Sequence, residues 1–307
     1  MLEFVKGVAK ALASGTYEAL TFDSLKEKGH DDQYPKVSAN IISISWIAYI
    51  IAGALGGILY DISYFLPYLI LAGFYLVATI ILFVKIKEPS VDTEHAELNI
   101  SKYWSQMTLG FKELFSKRTT GALVLFLLLI TLGYYTASEF MGISQGKSYG
   151  LSATQVSFLF TCGYLVSAGM SQLFSRLLKK ANVLVIAIVS SLFMLASYAL
   201  ALFVSPLVGL GLIMARIGSS STFSNTRSVL LNQHITSKNR ATALSTFSLL
   251  YTLPYVVVVY LGGKIIDISS VNTFALLLGV LLISGVVISL SYYFLTQPKV
   301  KLGESQT

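Results

Sequence analysis

Eight apolar segments, each about as long as a membrane-spanning helix, occupy most of this chain. A bilayer core needs about 20 apolar residues per helix. Only 12% of the residues are charged and the mean hydropathy is +0.71, whereas soluble domains carry about 25% charge. The sequence therefore predicts an all-α, multi-pass membrane protein. The segments are residues 37–59, 65–84, 121–144, 153–174, 183–204, 207–230, 241–262 and 274–294.

A ninth, weaker segment covers residues 4–25. It contains Lys6, Lys10, Glu18 and Asp23, so hydropathy by itself would not mark it as a span. We include it because the distribution of loop charges and an internal repeat both require a helix there. The chain is thus expected to have about nine transmembrane helices.

The internal repeat pairs two short stretches 206 positions apart. Residues 56–63 read GGILYDIS, and residues 262–269 read GGKIIDIS. Each copy closes one apolar segment and opens the next, and a duplicated pair of spans indicates a transporter built from two related halves. Asp61 and Asp267, near the end of each copy, are expected to cap the helix that follows.

The basic residues are distributed unequally between the two sets of alternate loops. One set, together with the C-terminal tail, holds sixteen lysines and arginines, whereas the other holds only Lys147 and Lys264. The positive-inside rule places the richer set and the C-terminus in the cytoplasm. The net charge of +7 is then a matter of topology, and we expect no nucleic-acid partner. The sixteen are Lys26, Lys28, Lys36, Lys85, Lys87, Lys102, Lys112, Lys117, Arg118, Arg176, Lys179, Lys180, Lys238, Arg240, Lys299 and Lys301.

The longest connection divides the chain. We expect a partial N-terminal bundle of three helices over residues 1–85, a cytoplasmic linker over 86–120, a six-helix bundle over 121–297 and a cytoplasmic tail over 298–307. The second part of the linker predicts an amphipathic helix on the inner leaflet or across the base of the protein. Its apolar residues at helical spacing are Ile100, Tyr103, Trp104, Met107, Phe111, Leu114 and Phe115.

Two motifs resemble a known family. Residues 15–25 (GTYEALTFDSL) are similar to the cytoplasmic end of the fourth helix of the major facilitator superfamily, especially in its drug-exporter-like branches. Residues 240–245 (RATALS) are similar to the entry of the eleventh helix. The resemblance implies two six-helix bundles that move a small molecule by alternating access, with proton-coupled efflux as one form. The glycine- and charge-rich loop that follows the family's second helix has only a degraded counterpart here, at residues 176–180 (RLLKK).

Comparing the repeat with this architecture predicts three further helices. The repeat pairs spans two and three with spans eight and nine, so the first three spans match the end of a six-helix bundle. We therefore expect the chain to lack the first three helices of that bundle. The expected partners are membrane lipids, a small-molecule substrate and a separate peptide that supplies the missing helices. The alternatives are an inactive transporter fragment and an integral-membrane lipid-modifying enzyme, which would need clustered Asp, His or Glu.

Four residues are candidates for a substrate or proton pathway. Tyr135 and Glu139 lie in the span that resembles the family's seventh helix, and Arg216 and Ser220 lie in the tenth. Ionisable groups within a span are costly and indicate function. Glu139 could bind a cationic substrate or exchange a proton, or it could be a wetted carboxylate at the interface. Arg216 could line the pathway or act as a structural anchor between helices.

Four charged residues are candidates for a cytoplasmic gate. Glu18 and Asp23 are placed there by the resemblance, with Arg240 as an opposite charge and Arg227 near the inner end of its span. The alternative is a set of solvated charges at helix ends, with Arg227 snorkelling to the interface.

We expect no cofactor, no metal site and no enzymatic activity. His30, His95 and His234 lie in polar loops without paired ligand spacing, and no phosphate-binding glycine loop follows a predicted strand. Cys162, the single cysteine, lies in an apolar run and is expected to be a small buried hydrophobic residue.

Overall fold

The computed structural model describes residues 21, 24–25, 27–30, 33–85, 100–235 and 240–297. These residues form helices and connecting turns without strands, which confirms the predicted all-α class. The helices are α1 (Tyr34–Ile62), α2 (Leu66–Lys85), α3 (Ile100–Leu114), α4 (Arg118–Thr136), α5 (Gly142–Ser148), α6 (Ala153–Leu178), α7 (Val183–Ala199), α8 (Pro206–His234), α9 (Arg240–Ile268) and α10 (Val271–Thr296), with a π-helix (Ala137–Met141) between α4 and α5. Most of the predicted segment 4–25 and the tail 298–307 lie outside the described residues.

Five helical stretches in the described part of the chain are long and apolar enough to cross a membrane. This confirms a multi-pass membrane protein. The α8 helix is not among them, since Arg216, Arg227 and a run of serines interrupt its apolar sequence. The five stretches are Leu66–Val84, Arg118–Ser148, Ala153–Phe174, Thr242–Ile268 and Val271–Thr296.

Many helical Ser and Thr side chains donate to a carbonyl one turn earlier, as Thr131 does to Leu127 at 2.7 Å. Such bonds satisfy hydroxyls where there is no water.

The chain divides into two compact units, Met1–Leu98 and Asn99–Thr307. In the first unit α1 packs against α2, and none of the apolar stretch Leu66–Val84 is buried. The predicted division at residues 85 and 120 stays a prediction. The amphipathic helix expected in the linker is present as α3, and it belongs to the second unit.

The second unit is built around α4 and α8. The α8 helix packs against α6 and α7, α4 packs against α9 and α10, and α3 lies against α9. One core of buried side chains extends through α4, α7, α8, α9 and α10, and includes Phe126, Met194, Phe223 and Leu282. A second, smaller core of Tyr149, Ile213 and Ile217 joins α8 to the end of α5 and to α6.

Side chains other than the predicted aspartates cap the helices. Ser152 caps α6 in a capping box with Gln155, Asn182 caps α7, and Ser270 caps α10 by accepting from the Thr273 amide at 3.1 Å. Asp61 and Asp267 lie inside the last turns of α1 and α9. The prediction that these aspartates cap the following helices is therefore wrong, because each preceding helix extends further than expected.

Two further expectations about the apolar segments are wrong. The segment predicted to reach residue 204 ends as a helix at Ala199, because residues 200–204 form turns before Pro206 opens α8. Cys162 was expected to be buried, but it is exposed on α6. An apolar run in a membrane helix continues around its whole circumference, so hydropathy does not identify the buried side.

The contact between α10 and α7 depends on a glycine. A Cβ atom added to Gly279 would lie 2.9 Å from the Tyr198 Cβ and 3.0 Å from the Ala199 amide nitrogen. Both atoms belong to the rigid part of α7 and cannot rotate away. Small residues at such positions let membrane helices approach closely. By contrast, nothing lies within 4 Å of a Cβ atom at Gly211.

We expect Gly279→Ala to destabilise the second unit, because the added methyl group forces α10 away from α7. The expected loss is about 1–3 kcal/mol of unfolding free energy, as for other overpacked cores. Gly211→Ala is the matched control and should be neutral or stabilising by up to about 1 kcal/mol, since alanine favours the helix. Thermal unfolding in lipid nanodiscs measures both, and equal stability of the two variants would contradict the packing.

Candidate functional site

A single arginine is buried in the middle of the second unit. Arg216 lies midway along α8 and is only 2% exposed, the largest of the fully buried side chains in the described residues. Ser219 and Phe223 share its helical face and are buried with it. A charge within a membrane-spanning segment is stable only against protein or trapped water.

The guanidinium of Arg216 is held by two other helices. Its Nη1 donates to the Gln145 Oε1 on α5 at 3.0 Å and to the Ser197 Oγ on α7 at 3.3 Å. The Arg216 Cζ lies 5.4 Å from the centroid of the Tyr198 ring, which is within the range of a cation–π interaction. These contacts tie α5, α7 and α8 together around one positive charge.

The ionisable groups that interact electrostatically with Arg216 are phenols. No carboxylate of the described residues is among them. The phenols belong to Tyr198, Tyr134 and Tyr149. Each phenol donates to a backbone carbonyl, to Gly133 at 2.7 Å, Ser190 at 2.8 Å and Ala201 at 2.7 Å respectively.

Tyrosines also link the helices around the arginine. The Tyr134 hydroxyl shares a further hydrogen bond of 2.9 Å with the Ser219 Oγ, so it connects α4 to both α7 and α8. Burial raises the pKa of the Tyr149 phenol, which lies in the turn after α5. This phenol therefore keeps the proton that it donates to α7's C-terminal turn.

A π-turn reshapes the helix in front of Arg216. It covers Ala137–Met141, and the Gly142 amide donates to the Ala137 carbonyl five residues earlier. A Cβ atom at residue 142 would lie 2.6 Å from that carbonyl oxygen and 2.6 Å from the Phe160 ring, so glycine allows the turn to form against α6. A π-turn adds one residue, which rotates the following side chains by about 100°.

A small cavity reaches the buried arginine. Its volume is about 60 Å³, which exceeds the roughly 30 Å³ that one water molecule occupies in the liquid. Ser138 on its wall is exposed while Arg216 is buried, so the cavity leads inward from the surface of the unit. The wall consists of Tyr134, Ala137, Ser138, Phe160, Tyr164, Arg216, Ile217 and Ser220.

A larger groove of about 710 Å³ lies between α7 and α10. Its wall is almost wholly apolar and contains no ionisable side chain. The smaller cavity is therefore the candidate site, because it alone of these two presents a charge.

The structure brings together two of the four predicted pathway residues. Arg216 and Ser220 share the cavity wall, and the Ser220 hydroxyl donates to the Ile217 carbonyl at 2.7 Å. Tyr135 instead packs its ring against Tyr251 and Tyr255 of α9, with centroids 5.4 and 4.7 Å away.

Glu139 lies in the π-turn and is exposed, and it does not line the cavity. Two other tyrosines line the cavity, Tyr164 and Tyr134, and Tyr134 lies one position before the predicted Tyr135.

Of the predicted gate residues, only the Arg227 side chain is described. Its Nη1 donates to the Thr131 Oγ1 at 3.3 Å, and its Cζ lies 5.9 Å from the centroid of the Phe247 ring. Arg240 begins α9, but its side chain is outside the described set, and so are Glu18 and Asp23. The gate stays a prediction.

Sequence reasoning missed the partners of Arg216. Tyr134 and Gln145 come from one helical stretch, Arg118–Ser148, whereas Ser197 and Tyr198 come from α7, and both segments are distant from Arg216 in the sequence. The sequence did contain one signal for these partners. A mid-membrane arginine needs polar partners, and polar side chains lie inside or at the end of the apolar runs. In the described residues no group of three or more His, Cys, Asp or Glu side chains could hold a metal.

Comparison with family models identifies one match. The model of the Major Facilitator Superfamily matches residues 4–234 and, separately, residues 146–306. A comparison with curated proteins gives no significant match.

Proposed function

We propose that this chain, which belongs to the Major Facilitator Superfamily, exports a small molecule from the cell in exchange for protons. As a member of that superfamily it is a multi-pass secondary transporter. The finer parts of the proposal are the direction of transport, the coupling to protons, the drug-exporter-like branch and the plasma membrane as location. The fourth-helix motif at residues 15–25 supports the branch and the direction.

The single observation that supports a pathway most strongly is the buried charge beside a cavity. Arg216 is held within a membrane-spanning unit without a carboxylate partner among the described residues, and the cavity connects it to the exposed Ser138. Charges kept inside a membrane at such cost mark substrate and ion pathways. In our proposal Arg216 and Ser220 contact the transported molecule. Glu139, exposed in the π-turn, takes up and releases the coupling proton.

The proposed orientation has the C-terminus in the cytoplasm and the turn after α5 outside. Because Cys162 is the only cysteine, Cys162→Ser gives a background for single-cysteine labelling. We expect a membrane-impermeant maleimide to label Lys147→Cys in intact cells, and Lys179→Cys only after permeabilisation. Both positions are exposed, so accessibility from one side of the membrane decides the result. The reverse pattern would contradict the orientation.

The proposed pathway predicts that Arg216→Gln and Glu139→Gln lower transport by about tenfold or more, equivalent to about 1.4 kcal/mol of barrier. The measurement is proton-driven accumulation in inverted membrane vesicles of two fluorescent probes, an amphipathic carboxylate and the cation ethidium. Lys264→Gln and Asp267→Asn are matched controls, since they change the same charges near the end of α9, away from the cavity wall. Full transport in both pathway variants would overturn these roles. Absence of proton-driven transport in the unmodified chain, across a panel of amphipathic anions and cations, would favour an inactive fragment.

We further propose that a separate peptide of three helices packs against the first unit. The repeat motivates this partner, and α2 leaves its circumference open to lipid or to other helices. Co-expressing helices one to three of a related superfamily member should increase the protease resistance of the first unit. A peptide carrying helices seven to nine of that relative is the control. Equal resistance with either peptide, or with none, would contradict this partner.

A further inference from the structure

We propose that the cavity beside Arg216 binds a small monovalent anion, either a halide ion or the carboxylate end of a larger molecule. The proposal begins with an excess of positive charge. Arg216 is buried, and no carboxylate of the described residues is among the ionisable groups that act on it. Burying a charge without a counter-charge is costly, whereas pairing it with a hydrogen-bonding anion offsets much of that cost.

The guanidinium also has unused donors. Both of its hydrogen bonds to the described residues leave from Nη1, while an arginine has five N–H donors in a planar fork. The fork leaves Nε and Nη2 able to donate to a second group. A carboxylate accepts from two such donors at once, and a halide accepts from each of them.

The neighbouring polar side chain of Gln145 is neutral and brings no negative charge to the arginine. Gln145 gives its oxygen to Arg216, and its Nε2 is buried without a hydrogen-bond acceptor in the described residues, although the Tyr149 phenol lies close enough to interact with it. Gln145 does not line the cavity, so the guanidinium of Arg216 is the group that presents spare N–H donors there.

The cavity has the size and the access that a small anion needs. About 60 Å³ accommodates a halide ion or a carboxylate group, but not a whole drug-sized molecule. The hydroxyls of Ser138 and Ser220 in its wall donate to the carbonyls of Tyr135 and Ile217, so the guanidinium is the donor that would meet the anion. The apolar Phe160 and Ile217 form another part of the wall. An ion pair there is much less screened than on the surface.

The binding itself does not depend on transport. Only the assignment of a bound carboxylate to the transported molecule rests on the proposed function.

Sodium chloride and sodium acetate distinguish the two sources of the anion. Sodium morpholinoethanesulfonate, whose ring is too bulky for the cavity, holds the ionic strength constant.

The test is the melting temperature of the full chain in lipid nanodiscs as each salt replaces the sulfonate. We expect a logarithmic rise of about 3–5 °C for each tenfold increase in anion above its Kd. A rise with chloride alone identifies an inorganic anion, and a rise that is larger with acetate identifies a carboxylate. An unchanged melting temperature with both salts overturns the proposal.

Three variants assign the effect to the cavity. Arg216→Gln removes the charge, and Ser138→Leu fills the cavity while leaving Arg216 in place, so both should abolish the rise. Arg227→Gln removes another part-buried arginine of α8 that does not line the cavity, and it should retain the rise. If Arg216→Gln does not insert, Ser138→Leu decides alone.

A rise that persists in Ser138→Leu overturns the site. Stabilisation by anions in a chain that transports neither fluorescent probe would support the site and count only against the proposed function.

Discussion

The second unit depends on how one positive charge is kept inside a membrane-spanning helix. Arg216 cannot face lipid, and its 2% exposure shows that the protein surrounds it completely. Gln145 and Ser197 accept its hydrogen bonds, and the Tyr198 ring lies against it. Because these partners belong to α5 and α7, the arginine fixes how both helices pack on α8.

The same requirement explains the polar residues in otherwise apolar helices. The Tyr134 hydroxyl connects α4 to α7 and α8, and the Tyr198 hydroxyl returns to α4 through the Gly133 carbonyl. In water such bonds contribute little net stability, but an unpaired donor buried in hydrocarbon costs far more than the bond gains. Each of these hydrogen bonds joins two helices and satisfies a polar group on each of them. A shift of one helix therefore breaks bonds to the others. A charge that is bound by neutral groups can leave them for a ligand at a small cost in free energy. A charge in an ion pair would first have to break that pair, which costs more.

The all-α fold class and the positions of most helices could be predicted from the sequence. Period, length and composition predicted the apolar helices, and α3 lies where its apolar spacing placed it. The end of α7, the position of Cys162 and the cap of α10 were not predictable, because each depends on local turns or on which side of an apolar helix is buried. The site could be predicted only in part. Arg216 and Ser220 were identifiable as polar residues on one face, but a straight α-helix was assumed where the π-turn occurs. Tyr134 and Tyr135 precede that turn, and the apolar sequence around them did not show which face of α4 lies towards the arginine.

The most direct test of this account is a double-mutant cycle between Arg216 and Gln145. Arg216→Met, Gln145→Leu and the double variant replace the pair with apolar side chains of similar size, and the free energy of unfolding is measured for each in mixed micelles. A hydrogen bond to a buried charge predicts that the two single losses exceed the double loss by about 1.5–3 kcal/mol. Losses that add to within about 0.5 kcal/mol would show that Arg216 is not held by Gln145 and would contradict the account.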